Sequence, residues 1–67
     1  MAGECVALVI ENSITKCIDH KGICIRKIGK SGAISALIQS GVGIVTYADN
    51  HVRSYNLHTG VKIRDLR

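Results

Sequence analysis

The sequence predicts an all-β protein, because three observations point to short antiparallel strands: an internal repeat, brief β-branched runs and turn residues at a fixed offset. Residues 6–28 align without a gap on residues 44–66, which is a period of 38 residues (44 minus 6). A fixed period of this size is typical of stacked supersecondary units, which bury their apolar faces against a neighbour. The identical pairs in the alignment are Asn12 and Asn50, His20 and His58, Gly22 and Gly60, Ile25 and Ile63, and Arg26 and Arg64.

Each repeat contains three apolar or alternating runs that are too short for buried helices and rich in β-branched residues. Turn residues separate these runs, so each repeat is expected to form a three-stranded antiparallel meander. The predicted strands cover residues 5–10, 13–19 and 22–28 in the first repeat and residues 43–48, 51–57 and 60–66 in the second.

Five residues are predicted to have a structural role in the turns. Asn12 and the Asp49-Asn50 pair lie at the tips of the first hairpins, where Asn tolerates positive φ and Asp bonds to the following backbone. Gly22 and Gly60 end the second turns, at the positions that most need a left-handed backbone.

The segment between the meanders, residues 29–41, carries signals for two structures. Ser31 as a cap, apolar residues at helical spacing and Gly41 as a stop predict a short helix near residues 32–40, which would make the protein α+β. With a period of two, Ile34, Ala36 and Ile38 face one way and predict a fourth strand. Local signals leave both alternatives open.

From Gly29 onward, the chain resembles one full repeat of the WD-repeat β-propeller family. In that family a Gly-His pair opens the blade, an Asp lies in the hairpin between the second and third strands, and Trp-Asp ends the third. Here Gly29-Lys30 stands at the Gly-His position, Asp49 at the Asp turn and Tyr55-Asn56 at the Trp-Asp position.

Residues 5–28 are similar to the last three strands of a preceding blade, with Glu11 at the Asp position and Cys17-Ile18 at the Trp-Asp position. The resemblance implies an incomplete first blade-like repeat over residues 1–28 and a complete second one over residues 29–67. It also implies that residues 29–41 hold the innermost strand of the second blade. Propellers need several blades to close, so the resemblance implies a scaffold that assembles with further blades.

We expect no enzyme, no metal and no cofactor. The carboxylates fall mostly at predicted turns or ends, and no Ser, His and acid set has the context of a nucleophile elbow. One spacing is compatible with zinc ligands, but only its His recurs in the second repeat, and true zinc sites usually show paired spacings. That spacing comprises Cys17, His20 and Cys24, whose counterparts are Tyr55, His58 and Lys62.

The net charge of +4 suggests nucleic-acid binding as an alternative function. Arg26, Lys27 and Lys30 cluster at the junction of the repeats and form a candidate basic binding patch. The aromatic platform for stacking bases is limited to Tyr47 and Tyr55, so nucleic acid is not the favoured partner.

With 67 residues and no Phe or Trp, the chain is near the size at which a single core is marginal. We therefore expect a homo-oligomer or a larger protein complex that covers the exposed strand edges, with no membrane partner. The chain opens without a basic segment and has no apolar run of spanning length. Three cysteines cannot all pair within one chain, which favours a reducing, cytoplasmic location.

Overall fold

A computed structural model describes residues 4–67, and these residues form seven strands and no helix. The prediction of an all-β protein built from antiparallel meanders is confirmed. Strands β1, β2 and β3 make a three-stranded sheet in that order, and β4, β5, β6 and β7 make a four-stranded sheet in that order. The strands are β1 (Ala7–Glu11), β2 (Ile14–Ile18), β3 (Cys24–Ile28), β4 (Ala33–Gln39), β5 (Val42–Tyr47), β6 (Val52–Asn56) and β7 (Lys62–Asp65).

The alternative of a short helix near residues 32–40 is wrong, because this segment is strand β4. Its backbone pairs with β5 along the whole strand, with a bulge at Ile34, so a helix here would leave that edge of β5 without hydrogen bonds. After the bulge, Ala36 and Ile38 pack against the core, while Leu37 points away from it. The two-residue alternation of a strand therefore describes this segment, and the local signals for a helix do not.

The two sheets share one core. We call the face that each sheet turns towards the other sheet its inner face and the opposite one its outer face. Cys17 and Ile28 of the first sheet form one buried cluster with five residues of the second sheet and the turns around it. Those five are Ala33, Val45, Tyr47, Tyr55 and Leu57.

Gly43 lies at a close contact between the two sheets. A Cβ added there would lie 2.7 Å from the Leu57 side chain, 3.3 Å from that of Leu8 and 3.4 Å from that of Ile28. Because Leu8 and Ile28 belong to the first sheet and Leu57 follows β6, side chains from both sides fill the space above this glycine. Its lack of a side chain lets the sheets pack closely.

The sheets stack head to tail. The 38-residue shift carries Leu8, on the inner face of the first sheet, onto Thr46, on the outer face of the second. It carries Val9, on the outer face, onto the buried Tyr47, on the inner face. The inner face of the first sheet is thus equivalent, in β1 and β5, to the outer face of the second.

Strand β6 departs from this equivalence because the first hairpins of the two repeats differ in length. The β1–β2 loop has two residues, Asn12 and Ser13, both with positive φ, as a type I′ turn requires. The β5–β6 loop has three, since the N–H of Tyr47 donates to His51 O and the N–H of Asn50 donates to Tyr47 O. The extra residue reverses the facing of β6, because strand residues alternate between faces.

The second turns of the repeats are held by side-chain oxygens. Asp19 Oδ1 accepts from the N–H groups of Lys21 and Ile23, and Asn56 Oδ1 accepts from those of His58 and Thr59. Gly22 and Gly60, 38 residues apart, have φ of 83° and 81°. Strands β3 and β7 each contain a bulge that leaves one residue unpaired. These two residues, Ile25 and Ile63, are also equivalent in the repeat.

We expect Gly22→Ala and Gly60→Ala each to lower the free energy of unfolding by about 1 to 2 kcal/mol, because Ala is strained at positive φ. A new Cβ meets nothing within 4 Å at Gly22 and only ordinary contacts at Gly60, so backbone strain is the shared cause. Urea denaturation measures both losses. Gly22→Asn is the control and should lose less, since Asn tolerates this conformation. Two neutral Ala variants would contradict the backbone strain, and clearly unequal losses would contradict the equivalence of the turns.

Candidate functional site

Two tyrosines form the main buried polar contact of the second sheet. Tyr47 ends β5 and Tyr55 lies in β6, and their hydroxyls are 2.7 Å apart in the core. The backbone N–H of Lys30 also donates to the Tyr47 hydroxyl, at 3.3 Å. This network connects the segment between the sheets to the middle of the second sheet.

Gly29 is required beneath this tyrosine pair. Its φ is 72°, and an added Cβ would collide with the Tyr47 hydroxyl and lie 2.9 Å from the Tyr55 hydroxyl. Burial and the hydrogen bond with Tyr55 raise the pKa of Tyr47 to about 12, against the opposing effect of the Lys30 N–H. Tyr47 therefore stays protonated and remains a hydrogen-bonding group across the ordinary pH range.

Asp49 joins the β5–β6 turn to the segment before β4. Its Oδ1 accepts from the N–H of His51, and its Oδ2 lies 3.2 Å from Lys30 Nζ. Partial burial acts to raise the pKa of Asp49, but the hydrogen bonds from His51 and Lys30 outweigh it and hold that pKa below its ordinary value. The Lys30 ammonium also lies 5.3 Å from the centre of the Tyr47 ring.

The structure does not bring the three basic residues of the candidate patch onto one face. Arg26 pairs with Cys17 on the inner side of β3, and the next residue, Lys27, pairs with Lys16 on the outer side. Lys30 is occupied by its ion pair with Asp49. Each of the three side chains therefore has a different environment.

The residues with zinc-like spacing are also separated. Cys17 is fully buried, His20 is exposed in the turn after β2, and Cys24 is an exposed residue of β3. Burial, together with contact from the Cys5 thiol, raises the pKa of Cys17 to about 12, so this thiol is a poor nucleophile at neutral pH. Among residues 4–67, no three His, Cys, Asp or Glu side chains are grouped so as to hold a metal ion.

Both sheets carry apolar side chains on their outer faces. On the second sheet, Leu37 is 51% exposed and lies directly opposite Ile44. On the first sheet, Val9 is 45% exposed and lies opposite Lys16. We define the second-sheet outer face as Leu37, Val42, Ile44, Thr46 and Val52, and the first-sheet outer face as Ala7, Val9, Ile14 and Ile18.

Four strand edges have no partner strand among residues 4–67. Strands β1 and β3 pair only with β2, β4 pairs only with β5, and β7 pairs only with β6. One backbone hydrogen bond, from Ala33 N–H to Ser13 O, joins β4 to the tip of the first hairpin. The outer faces and open edges together make a surface that could receive another protein.

The part of the chain that the structure describes has no helix, and hence none that could cross a membrane. Comparison with protein-family models, with curated proteins and with solved structures found no match.

The sequence patterns indicated Gly29, Lys30 and Asp49 separately, but they did not predict the hydrogen-bonded tyrosine pair that connects them. The available signal was that the chain's two aromatic residues lie eight positions apart on neighbouring strands.

We expect Gly29→Ala to lower the free energy of unfolding by about 3 to 4 kcal/mol, because a strained φ and a collision with the tyrosine pair add together. Gly32→Ala is the matched control, since Gly32 has φ of 93° but open space around it. It should lose only about 1 to 2 kcal/mol, from strain alone. Equal losses in urea denaturation would contradict the role of the tyrosine hydroxyls.

The raised pKa of Tyr47 predicts a loss of stability at high pH. The contribution is fully present below pH 10 and is lost as the pH rises from 10 to about 12, because Tyr47 in the unfolded chain releases its proton first. Two pKa units correspond to at most about 2.7 kcal/mol. Urea denaturation between about pH 9.5 and 11.5, with tyrosinate absorbance, measures this loss.

Tyr47→Phe is the control for that titration. It should remove this part of the pH dependence and leave the part due to Cys17, whose pKa is raised in the same range. An unchanged slope in Tyr47→Phe, or tyrosinate absorbance from both tyrosines near pH 10 in the folded protein, would contradict the prediction.

Proposed function

We propose that this chain is a non-enzymatic assembly module, in which propeller-blade-like sheets stack on further sheets in an oligomer or a larger protein complex. The observation that carries the proposal is the head-to-tail stacking of two sheets that both carry apolar side chains on their outer faces. A module of this kind acts through protein–protein interaction and needs no catalytic group.

Head-to-tail stacking supports the proposal because it leaves a free outer face at each end of the two-sheet stack. In β1 and β5, the face of the first sheet that packs on the second is equivalent to the second-sheet outer face. A third sheet can therefore pack on Leu37 and Ile44 as the second packs on Leu8. Repeat proteins extend in this way, through contacts between successive neighbours.

A second copy of the chain is the occupant that we propose for this face. Its first-sheet outer face, with Val9 and Ile14, would pack on the second-sheet outer face of the preceding copy. The contact is heterologous, and heterologous contacts produce rings when the rotation closes and filaments when it does not. We propose a closed ring, because the resemblance to WD repeats implies propeller curvature.

The Lys30 and Asp49 contacts support the likeness to a propeller blade. The position that resembles the Gly-His pair is joined to the Asp turn through the ion pair between Lys30 and Asp49. The position that resembles Trp-Asp is joined to β5 through the hydrogen bond between Tyr55 and Tyr47. These contacts join the segment before β4 to the β5–β6 turn and join β5 to β6, although the residue types differ from the WD pattern.

A cytoplasmic location completes the proposal. Cys5, Cys17 and Cys24 are free thiols, and free thiols are typical of reducing compartments.

The second candidate function, a small basic β protein that binds nucleic acid, rests on the net charge of +4. The structure favours it less, since Arg26 and Lys27 lie on opposite faces of β3 and Lys30 is paired with Asp49.

We expect light scattering to give a mass above that of the monomer, and raised salt should leave it unchanged, because apolar faces rather than charges hold the copies together. Leu37→Lys and Val9→Lys should each reduce the mass to that of the monomer. Val61→Lys is the control: Val61 is 63% exposed but lies in the turn between β6 and β7, so the mass should not change.

Mixing the two defective variants tests the head-to-tail geometry. Leu37→Lys keeps an intact first-sheet outer face and Val9→Lys keeps an intact second-sheet outer face, so the mixture should form a capped heterodimer. A symmetric contact through one face would be disrupted by only one of the two substitutions. A monomer with tight nucleic-acid binding that weakens steeply with salt would favour the second candidate instead.

A further inference from the structure

A cleft of about 250 Å³ opens between the two sheets at the end opposite the first hairpin tips. Arg26 from the first sheet and Asn56 and His58 from the second line it, together with Leu57, Cys5 and Glu4. The cleft is separate from the outer faces, because Arg26 lies on the inner side of β3. Its size suits a small group rather than a drug-sized ligand.

Arg26 lacks a counter-ion in the residues that the structure describes. The four ion pairs of residues 4–67 use Lys16, Lys30, Arg53 and Lys62, so each of those cations lies near a carboxylate. The Nε of Arg26 is buried and has no hydrogen-bond partner. Glu4 lines the same cleft but forms no ion pair with Arg26, so the buried Nε of this guanidinium still needs an acceptor.

The other polar groups of the cleft complement an anion with a single charge. Asn56 Oδ1 already accepts from the N–H groups of His58 and Thr59, which leaves the amide nitrogen of Asn56 as its free donor group. His58 adds an imidazole, and the Cys5 thiol is directed to Ala7 O. The carboxylate of Glu4, at the exposed start of the described chain, disfavours a doubly charged ligand.

We propose that this cleft binds a carboxylate group, with the Arg26 guanidinium as its main partner and Asn56 and His58 as further donors. A planar carboxylate matches the fork of a guanidinium and carries the single charge that one arginine balances. Leu57 and Cys5 supply an apolar wall for a short side chain next to that carboxylate. The ligand is either a free small acid or the C-terminal residue of a peptide, since both present the same group.

The test is an NMR titration of the intact chain with acetate, N-acetyl-leucine and N-acetyl-leucine amide. We expect N-acetyl-leucine to shift the side-chain N–H signals of Arg26 and the backbone signals of His58, and the amide to bind at least tenfold more weakly. Binding of N-acetyl-leucine at least tenfold tighter than acetate would indicate a peptide C-terminus. Equal binding of the two acids would indicate a free small carboxylate.

Substitutions at Arg26 and Lys27 distinguish a specific binding site from non-specific electrostatic attraction. Arg26→Gln should weaken binding of N-acetyl-leucine at least tenfold, and Arg26→Lys should weaken it less. Lys27→Gln is the matched control, because it removes the same charge from the next residue on the opposite side of β3 and should leave binding unchanged. Equal binding of acid and amide to the unaltered chain, or equal losses in Arg26→Gln and Lys27→Gln, would overturn the proposal.

Discussion

The hydrogen bond between Tyr47 and Tyr55 is the interaction on which the second sheet depends. The two rings are the largest side chains available to a protein without Phe or Trp, and both are almost fully buried between the sheets. Each hydroxyl has a partner, so these polar atoms are buried without an unsatisfied group. Gly29 must remain without a side chain beneath them, because the chain passes from β3 to β4 directly against the tyrosine hydroxyls.

The β1–β2 and β5–β6 loops differ in length, and this difference explains why a regular sequence repeat gives two sheets with different core residues. In a strict repeat, Tyr55 would occupy the outer face, because its counterpart Cys17 occupies the inner face. The extra residue of the β5–β6 loop turns Tyr55 inward, where it meets Tyr47. A small thiol from the first sheet and two large rings from the second then fill the same space. Two identical faces would not have packed with this complementarity.

The features that we connect with function lie in the parts of each sheet that the shared core does not use. Each sheet carries apolar side chains on both of its faces, as the sheets of stacked repeats do, so the outer faces keep apolar side chains that the shared core does not cover. The cleft keeps Arg26 because the ends of the two sheets do not meet there. Assembly through the faces and ligand binding in the cleft can therefore be separated by substitution, since they share no residue.

Local chemistry was sufficient for six of the seven strands and for their turns, because alternation and turn residues act over a few positions and recurred 38 residues apart. Tertiary packing decided everything that depends on distant residues: whether residues 32–40 form a helix or β4, which way β6 faces, and where Arg26 and Lys30 point. The open edge of β5 selected the strand, and one loop residue selected the facing. Arg26, Lys27 and Lys30 are close in sequence. Alternation along β3 places Arg26 and Lys27 on opposite faces of the sheet, and Asp49 holds Lys30 in an ion pair.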